Sequence, residues 1–182
     1  MSASVTAAPR IQTERLVLRE HRAEDLAQVR ATWSDPAVNR YIGGRPCTEE
    51  EAWTRILRYA GHWPLLGFGF WRVSDRTTDR YLGDIGFFLG RRDLGPAFDT
   101  APEVGWTLAA HAHGRGLATE ALAAVLAWGD ARLPHARTVC MISPENTPSL
   151  RVAERHGYRE FDRTSFREAP VILFERRRRP AA

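Results

Sequence analysis

The chain has no lysine. All 26 of its lysine-or-arginine positions, in 182 residues, are arginine, which reads as genome composition rather than as a functional device. Cysteine is almost missing as well. Cys47 and Cys140 stand alone and far apart, which excludes a disulfide framework and a zinc-type pair spacing. No apolar run approaches the roughly 18 residues of a membrane-spanning helix. The opening "MSASVTAAPR" lacks the apolar segment of a secretory signal. These absences lead us to expect a cytoplasmic protein with no membrane partner. A Gly-Lys-Ser/Thr element is missing, so there is no P-loop, and no glycine set has the six-residue spacing of a dinucleotide fingerprint.

What is present fits a soluble globular fold: 43% hydrophobic and 26% charged residues. The length suits one domain, which we place at residues 10–177 between a tail at 1–9 and another at 178–182. The net charge of +4 would suit an anionic cofactor. The terminal "ERRRRP" reads as a solvated end, with a nucleic-acid contact as its alternative.

Along the chain, "ERLVLREH" has an imperfect strand alternation. Residues from about Glu24 to Trp33 carry Leu26, Ala27, Val29 and Trp33 at helical spacing, stopped by Asp35-Pro36. Thr48 with Glu49, Glu50 and Glu51 predicts a capped helix start. Trp53, Ile56, Leu57 and Ala60 form its expected apolar stripe, and Pro64 its expected end. "GFGFWRVSD" and "YLGDIGFFLG" flank a polar turn and predict an antiparallel hairpin. A loop, "GRRDLGPAFDTAP", leads to the strand "EVGWTLA", then a helix over roughly Gly116–Arg132. "RTVCMIS" is a strand, "NTPSLRVAERHG" a helix closed by Gly157, and "YREFDRTSF" and "VILFERR" the last strands. The order β-α-α-β-β-β-α-β-α-β-β describes a mixed α/β sheet packed by helices, without repeats.

The glycines of "HAHGRGLATEAL" precede a helix. A helix start exposes unpaired N–H groups and partial positive charge, which makes it an anion site. Glycines ahead of it allow close backbone approach and left-handed dihedrals. Strand, glycine turn, helix therefore reads as a phosphate cradle, or else as a turn whose Gly114 and Gly116 serve their dihedrals alone. "HAH" supplies two metal-type ligands with no third at suitable spacing, so no metal is expected.

On these residues the sequence resembles the GNAT superfamily of N-acetyltransferases. His113-Gly114-Arg115-Gly116-Leu117-Ala118 is similar to the family loop Gln/Arg-x-x-Gly-x-Gly/Ala, with His113 departing from Gln/Arg. "ENTPSLRVAERHGY" resembles the family's next block. "TERLVLREHRAEDL", "SDPAVNRYIGG" and "YLGDIGF" resemble the branch of ribosomal-protein N-terminal acetyltransferases, and the likeness runs from about Arg10 to Arg177. It implies a mostly antiparallel sheet with splayed central strands, flanked by helices. It also implies acetyl-CoA as co-substrate, without a metal. The pyrophosphate would be held by the backbone around His113, Gly114, Arg115, Gly116, Leu117, Ala118 and Thr119. The pantetheine arm and thioester would lie along Trp106, Thr107 and Leu108, with Asn146 and Ser149 beside them.

The resemblance further implies direct attack of an amine in a ternary complex. The tyrosine that many members use to protonate the thiolate is replaced here by Ala153, which leaves Ser149 as the candidate acid. The plainer reading of that stretch makes Thr147 a helix cap and Ser149 an ordinary first-turn residue. Glu103, at the head of the central strand, is the candidate base, acting directly or through water; Asp84 and Glu160 are further candidates. Asn39, Arg40 and Tyr41 would border the acceptor pocket. The acceptor implied by that branch is a protein or peptide N-terminus, with a small amine, amino acid or antibiotic as alternative. A nonenzymatic acyl-CoA sensor would keep the cradle and lack the chemistry. The chain would act as a monomer or as a dimer through its last strands.

Overall fold

The computed structural model describes residues 5–178. The short β1 (Ile11–Gln12) and β2 (Leu16–Arg19) open the sheet. Helices α1 (Leu26–Ser34), α2 (Pro36–Asn39) and α3 (Glu49–Leu66) follow, then the hairpin of β3 (Phe70–Asp75) and β4 (Tyr81–Phe88). After α4 (Pro96–Asp99) come β5 (Glu103–Leu108), α5 (Leu117–Arg132), β6 (Arg137–Ile142) and α6 (Thr147–Arg155). The hairpin of β7 (Arg159–Phe166) and β8 (Ala169–Arg177) closes the described chain. The eight strands form one sheet in the order β1-β2-β3-β4-β5-β6-β8-β7. Every pairing is antiparallel except β5 with β6.

The sheet is split at that parallel step. β5 pairs with β4 over its whole length, and β6 pairs with β8 from Arg137 to Ile142. Between β5 and β6 the ladder holds only at Glu103↔Val139. The two strands part beyond that point, leaving main-chain groups on their facing edges without ladder partners. The larger core lies between this sheet and α5. There Leu117, Ala121, Leu122, Val125 and Leu126 meet Trp71, Val73, Ile85, Phe87 and Val104, all at most 5% exposed.

Several local expectations change in the folded chain. The expected loop at 90–102 contains α4, and α2 starts at Pro36, with the Asp35 side chain accepting from the Ala37 N–H. Pro64 does not end α3. The helix continues to Leu66 and stops at Gly67 (φ +75), whose N–H reaches the Trp63 carbonyl. Proline near a helix end removes one hydrogen bond, and tertiary contact compensates. Trp63 is buried, and its Nε1 donates to the Phe70 carbonyl at 3.1 Å. The apolar stripe of α3 also shifts by one position. Ala52, Ile56, Tyr59 and Trp63 face inward, whereas Trp53, Leu57 and Ala60 are exposed. The start of α3 follows expectation. Thr48 Oγ1 accepts from the Glu51 N–H, and the Glu51 carboxylate accepts from the Thr48 N–H. Hydrogen bonds from Arg45 and Thr48 pull the Glu51 pKa down to about 2.

The arginines of the C-terminal stretch are partly committed to the fold. Arg176 grips Asp130 of α5 with two hydrogen bonds, at 2.8 and 2.6 Å, and Arg178 donates to the carbonyls of Asp130 and Leu133. Residues 179–182, which complete the basic run and the expected tail, lie outside the described residues, as do 1–4 of the N-terminal tail. Among the described residues no helix is long and apolar enough to cross a membrane.

Candidate active site

The glycine turn lies beyond the end of β5. A 3-10 turn (Ala110–Ala112) follows Leu108, and a ring nitrogen of His113 lies 2.8 Å from the Leu108 carbonyl, so this side chain braces the strand end. Gly114 (φ +72) and Gly116 (φ +73) are both left-handed, a conformation costing other residues about 1–2 kcal/mol. Gly116 is the N-cap of α5 and supplies no side-chain cap. The first hydrogen bond at this end runs from the Glu120 N–H to the Gly116 carbonyl. The N–H groups of Leu117, Ala118 and Thr119 are therefore the uncapped donors of the first turn. A Cβ built on Gly114 would meet nothing within 4 Å. These glycines serve dihedral and approach, not internal packing. Such a turn fits the phosphates of a CoA-type ligand.

The turn is held from across the molecule. Arg15, between β1 and β2, donates from Nε to Glu120 Oε2 at 2.6 Å and from Nη1 to the Arg115 carbonyl at 3.0 Å. Thr13 Oγ1 and the Arg15 N–H donate to Glu120 Oε1 at 2.5 and 2.9 Å. A Cβ on Gly116 would lie 3.7 Å from Arg15 Nη2. Burial works against ionising Glu120, but the bonds from Thr13 and Arg15 hold its carboxyl below the ordinary range. Arg15 thus offsets the negative charge near the helix start and fixes the loop. In the sequence, "TER" looks like an ordinary strand entry, and nothing in it marks Arg15 as a brace. Arg15→Gln should weaken acetyl-CoA binding by about three- to tenfold, ~0.7–1.4 kcal/mol, with the melting temperature close to wild type. Calorimetry checks this, and an unchanged affinity would reject the brace.

Trp106, Thr107 and Leu108 lie past the single Glu103↔Val139 step, paired with Ile85, Asp84 and Gly83 of β4 and outside the β6 ladder. Trp106 packs partly buried against the main core. Opposite, Gly83 comes so close that a Cβ there would sit 2.2 Å from the Thr107 carbonyl oxygen. β4 thus holds this strand firmly.

Glu103 is 4% exposed at the apex of the gap. Arg92 Nε and Nη2 donate to its two oxygens at 2.6 and 3.0 Å. The 90–102 loop aims Arg92: the Asp99 carboxylate takes the N–H groups of Arg92 and Leu94 at 2.6 and 2.8 Å. Gly90 makes room, since a Cβ there would be 2.7 Å from Glu103 Oε2. Burial raises the Glu103 pKa above its ordinary value, and Arg92 and Arg58 oppose that rise. Nothing periodic in "GRRD" announces Arg92 as a partner.

On the other side of the gap, Asn146 rather than Thr147 caps α6, and its Oδ1 accepts from the Ser149 N–H at 3.2 Å. The cap falls there because the short amide reaches the first-turn N–H while Thr147 and Pro148 enter the helix. Ser149 joins the cap through its backbone. Its hydroxyl makes no hydrogen bond among the described residues. His156 links α6 to α5, with Nε2 3.1 Å from the Thr119 carbonyl.

The remaining candidates divide. Asn39 is 5% exposed, and its amide donates to the carbonyls of Arg45 (3.0 Å) and Trp33 (3.4 Å), which commits it to shaping the 40–47 loop. Arg40 stacks on Tyr41, its Cζ 4.5 Å from the ring centroid, at the surface of that loop. Asp84 is fully buried, 2.7 Å from His21 Nε2 and accepting from Trp33 Nε1 at 3.2 Å. Glu160 pairs with Arg163 on exposed β7, with contacts of 2.6 and 2.8 Å.

Residues 15–159 match the model of the acetyltransferase (GNAT) domain family. The N-acetyltransferase p20 of Bacillus licheniformis, itself uncharacterized, is 27% identical over 171 residues, spanning 90% of this chain and 93% of that one. A solved chain from Bordetella pertussis, assigned to the GnaT-family acetyltransferases, is 36% identical with a TM-score of 0.83, covering 93% of this chain and 99% of its own. Two more distant structures, each 16% identical, share the fold. The ribosomal L7/L12 α-N-protein acetyltransferase RimL, in complex with coenzyme A, has a TM-score of 0.74 over 93% of this chain and 98% of its own. The spermidine N-acetyltransferase of Vibrio cholerae, with CoA and spermine, has 0.70 over 91% and 97%.

Proposed function

The chain belongs to the GNAT acetyltransferase family, and from that premise we propose that it moves an acetyl group from acetyl-CoA to a primary amine by direct attack in a ternary complex. The acceptor is an amine at a peptide N-terminus or on a small molecule. The observation that carries this reading is the uncapped start of α5, set at the open end of the β5–β6 gap by Gly114, Gly116 and Arg15. Residues 10–177 act as one catalytic unit.

Acetyl-CoA brings the activated carbonyl. The N–H groups of Leu117, Ala118 and Thr119 bind phosphate oxygens, favoured by the helix dipole. A main-chain N–H near Trp106-Thr107 donates to the oxygen on which charge develops. Glu103 takes the amine proton, directly or through one water. Nitrogen–carbon bonding and carbon–sulfur cleavage leave a thiolate, which gains a proton from Ser149 or from water. Asn146 holds the Ser149 backbone in place. Arg40 and Tyr41 border the acceptor, and Asn39 shapes their loop. The test is calorimetric titration with acetyl-CoA, coupled to thiol release over a panel of amines. Tight binding with no turnover on any amine would favour an acyl-CoA sensor.

Ser149→Ala separates the two readings of α6. Alanine keeps the helix and the backbone N–H that Asn146 accepts. With the hydroxyl as thiolate donor, turnover falls about fivefold, near the low end of ~1–3 kcal/mol for such a bond, because a CoA thiolate is a tolerable leaving group. Asn146→Ala removes the cap, at about 1 kcal/mol of stability, and also frees the Ser149 backbone, so its rate should fall together with its melting temperature. Steady-state rates and melting curves on both variants check this. A normal rate in Ser149→Ala, with chemistry limiting, assigns the proton to water.

A further inference from the structure

On the sheet face that carries Glu103, the Arg58 guanidinium lacks an acid. Arg58 projects from α3 and makes no ion pair among the described residues. Its Cζ lies 5.8 Å from the Tyr59 ring centroid and 6.0 Å from that of Phe88. Arg92 reaches the same Phe88 ring at 5.2 Å, and Phe88 is the cross-strand partner of Glu103. Arg92 and Arg167 also share the Phe166 ring, at 4.8 and 5.2 Å. The carboxylates of Glu103 and Asp99 nearby are both engaged: Glu103 with the Arg92 guanidinium, Asp99 with backbone N–H groups. Although the Arg58 side chain reaches the surface, burial of its head lowers its pKa, and the charges of Arg55 and Arg92 act in the same direction. His62, ring to ring 6.2 Å from Phe88, is brought to about 4 by burial and by Arg58, and is neutral near pH 7.

A crowded guanidinium with no carboxylate partner is an anion receptor, and its planar fork matches a carboxylate. The anion is not the phosphate of the co-substrate. The cradle lies beyond the far end of six-residue β5, whose last residue is about 17 Å from Glu103 at ~3.3 Å per residue. We propose that the acceptor is an amine carrying a carboxylate within a few bonds of its nitrogen, and that Arg58 receives this carboxylate while the nitrogen faces Glu103. The proposal rests on the amine-acetylating reading and narrows it. Cationic acceptors such as polyamines meet like charge from Arg58, Arg92 and Arg167 and are disfavoured.

Matched acceptors test this. L-phenylalanine against phenethylamine probes a free amino acid; Asp-Phe-amide against Asn-Phe-amide probes an acidic peptide N-terminus; spermidine probes a polycation. The acid-bearing member of at least one pair should have a kcat/KM at least tenfold above its neutral partner and above spermidine. In Arg58→Gln that preference should collapse through KM, with Arg58→Lys retaining part of it, while calorimetry shows both variants folded and binding acetyl-CoA. Equal rates within both pairs, or a preference that survives Arg58→Gln, overturn the proposal alone. Binding of acetyl-CoA with no turnover of any amine, neutral ones included, overturns the amine reading and the proposal together.

Discussion

Glu103→Gln should lower kcat/KM by roughly 10²–10⁴-fold, the range for loss of a general base, with acetyl-CoA affinity almost unchanged. The substitution keeps the shape and removes the proton acceptor. It also leaves Arg92 facing a neutral amide in a largely buried place, so some stability is lost as well, and rates need normalising to the folded fraction. A pH profile separates the two effects. Burial raises the Glu103 pKa and Arg92 opposes the rise. In the wild type the acidic limb of kcat/KM therefore lies above the ordinary carboxylate value. Arg92→Gln removes the opposing charge and should move that limb to still higher pH. Glu103→Gln should abolish it. A Glu103→Gln enzyme with a near-normal rate from pH 6 to 9, in an assay limited by chemistry, would leave Glu103 as no more than an anchor for Arg92.

Gly116→Val should weaken acetyl-CoA binding at least tenfold, about 1.4 kcal/mol, while the fold survives. The cause is conformational before it is steric. Gly116 sits at φ +73, and the nearest atom to an added Cβ is Arg15 Nη2 at 3.7 Å, an ordinary contact. A β-branched side chain strongly disfavours that dihedral. The turn should therefore relax and swing the N–H groups of Leu117 and Ala118 away from a common focus. The branched side chain would also stand where phosphates approach. Calorimetry with acetyl-CoA and a melting curve decide the matter. A variant that binds normally would show that the cradle does not depend on this dihedral, and the phosphate assignment would fall. Comparison with Arg15→Gln, which disturbs the same loop from outside, tells dihedral strain from lost bracing.

What the sequence determined by itself is local. Thr48 and Glu51 form the reciprocal cap that their spacing predicts, because a cap closes within three residues. Strand alternation with a polar turn located the β3–β4 hairpin, and the glycine pair located the start of α5, because left-handed dihedrals select glycine wherever they occur. The folded chain alone decided which face of α3 turns inward. Tyr59 and Trp63 dock on the sheet through Phe70, and this outweighs the apolar surface that Trp53 and Leu57 leave exposed. It likewise carried α3 past Pro64, where packing of Trp63 offsets the missing hydrogen bond. The long-range contacts around the proposed site were beyond a linear reading. Arg15 meets Glu120 across 105 positions, Arg92 leaves an irregular loop to hold Glu103, and Arg58 gathers beside them from another helix. Such contacts have no period and no fixed spacing. A charge finds its counterpart only when the sheet brings distant segments to one face, so the glycine turn before α5 is legible in a single stretch, whereas the charge balance around it exists only in three dimensions.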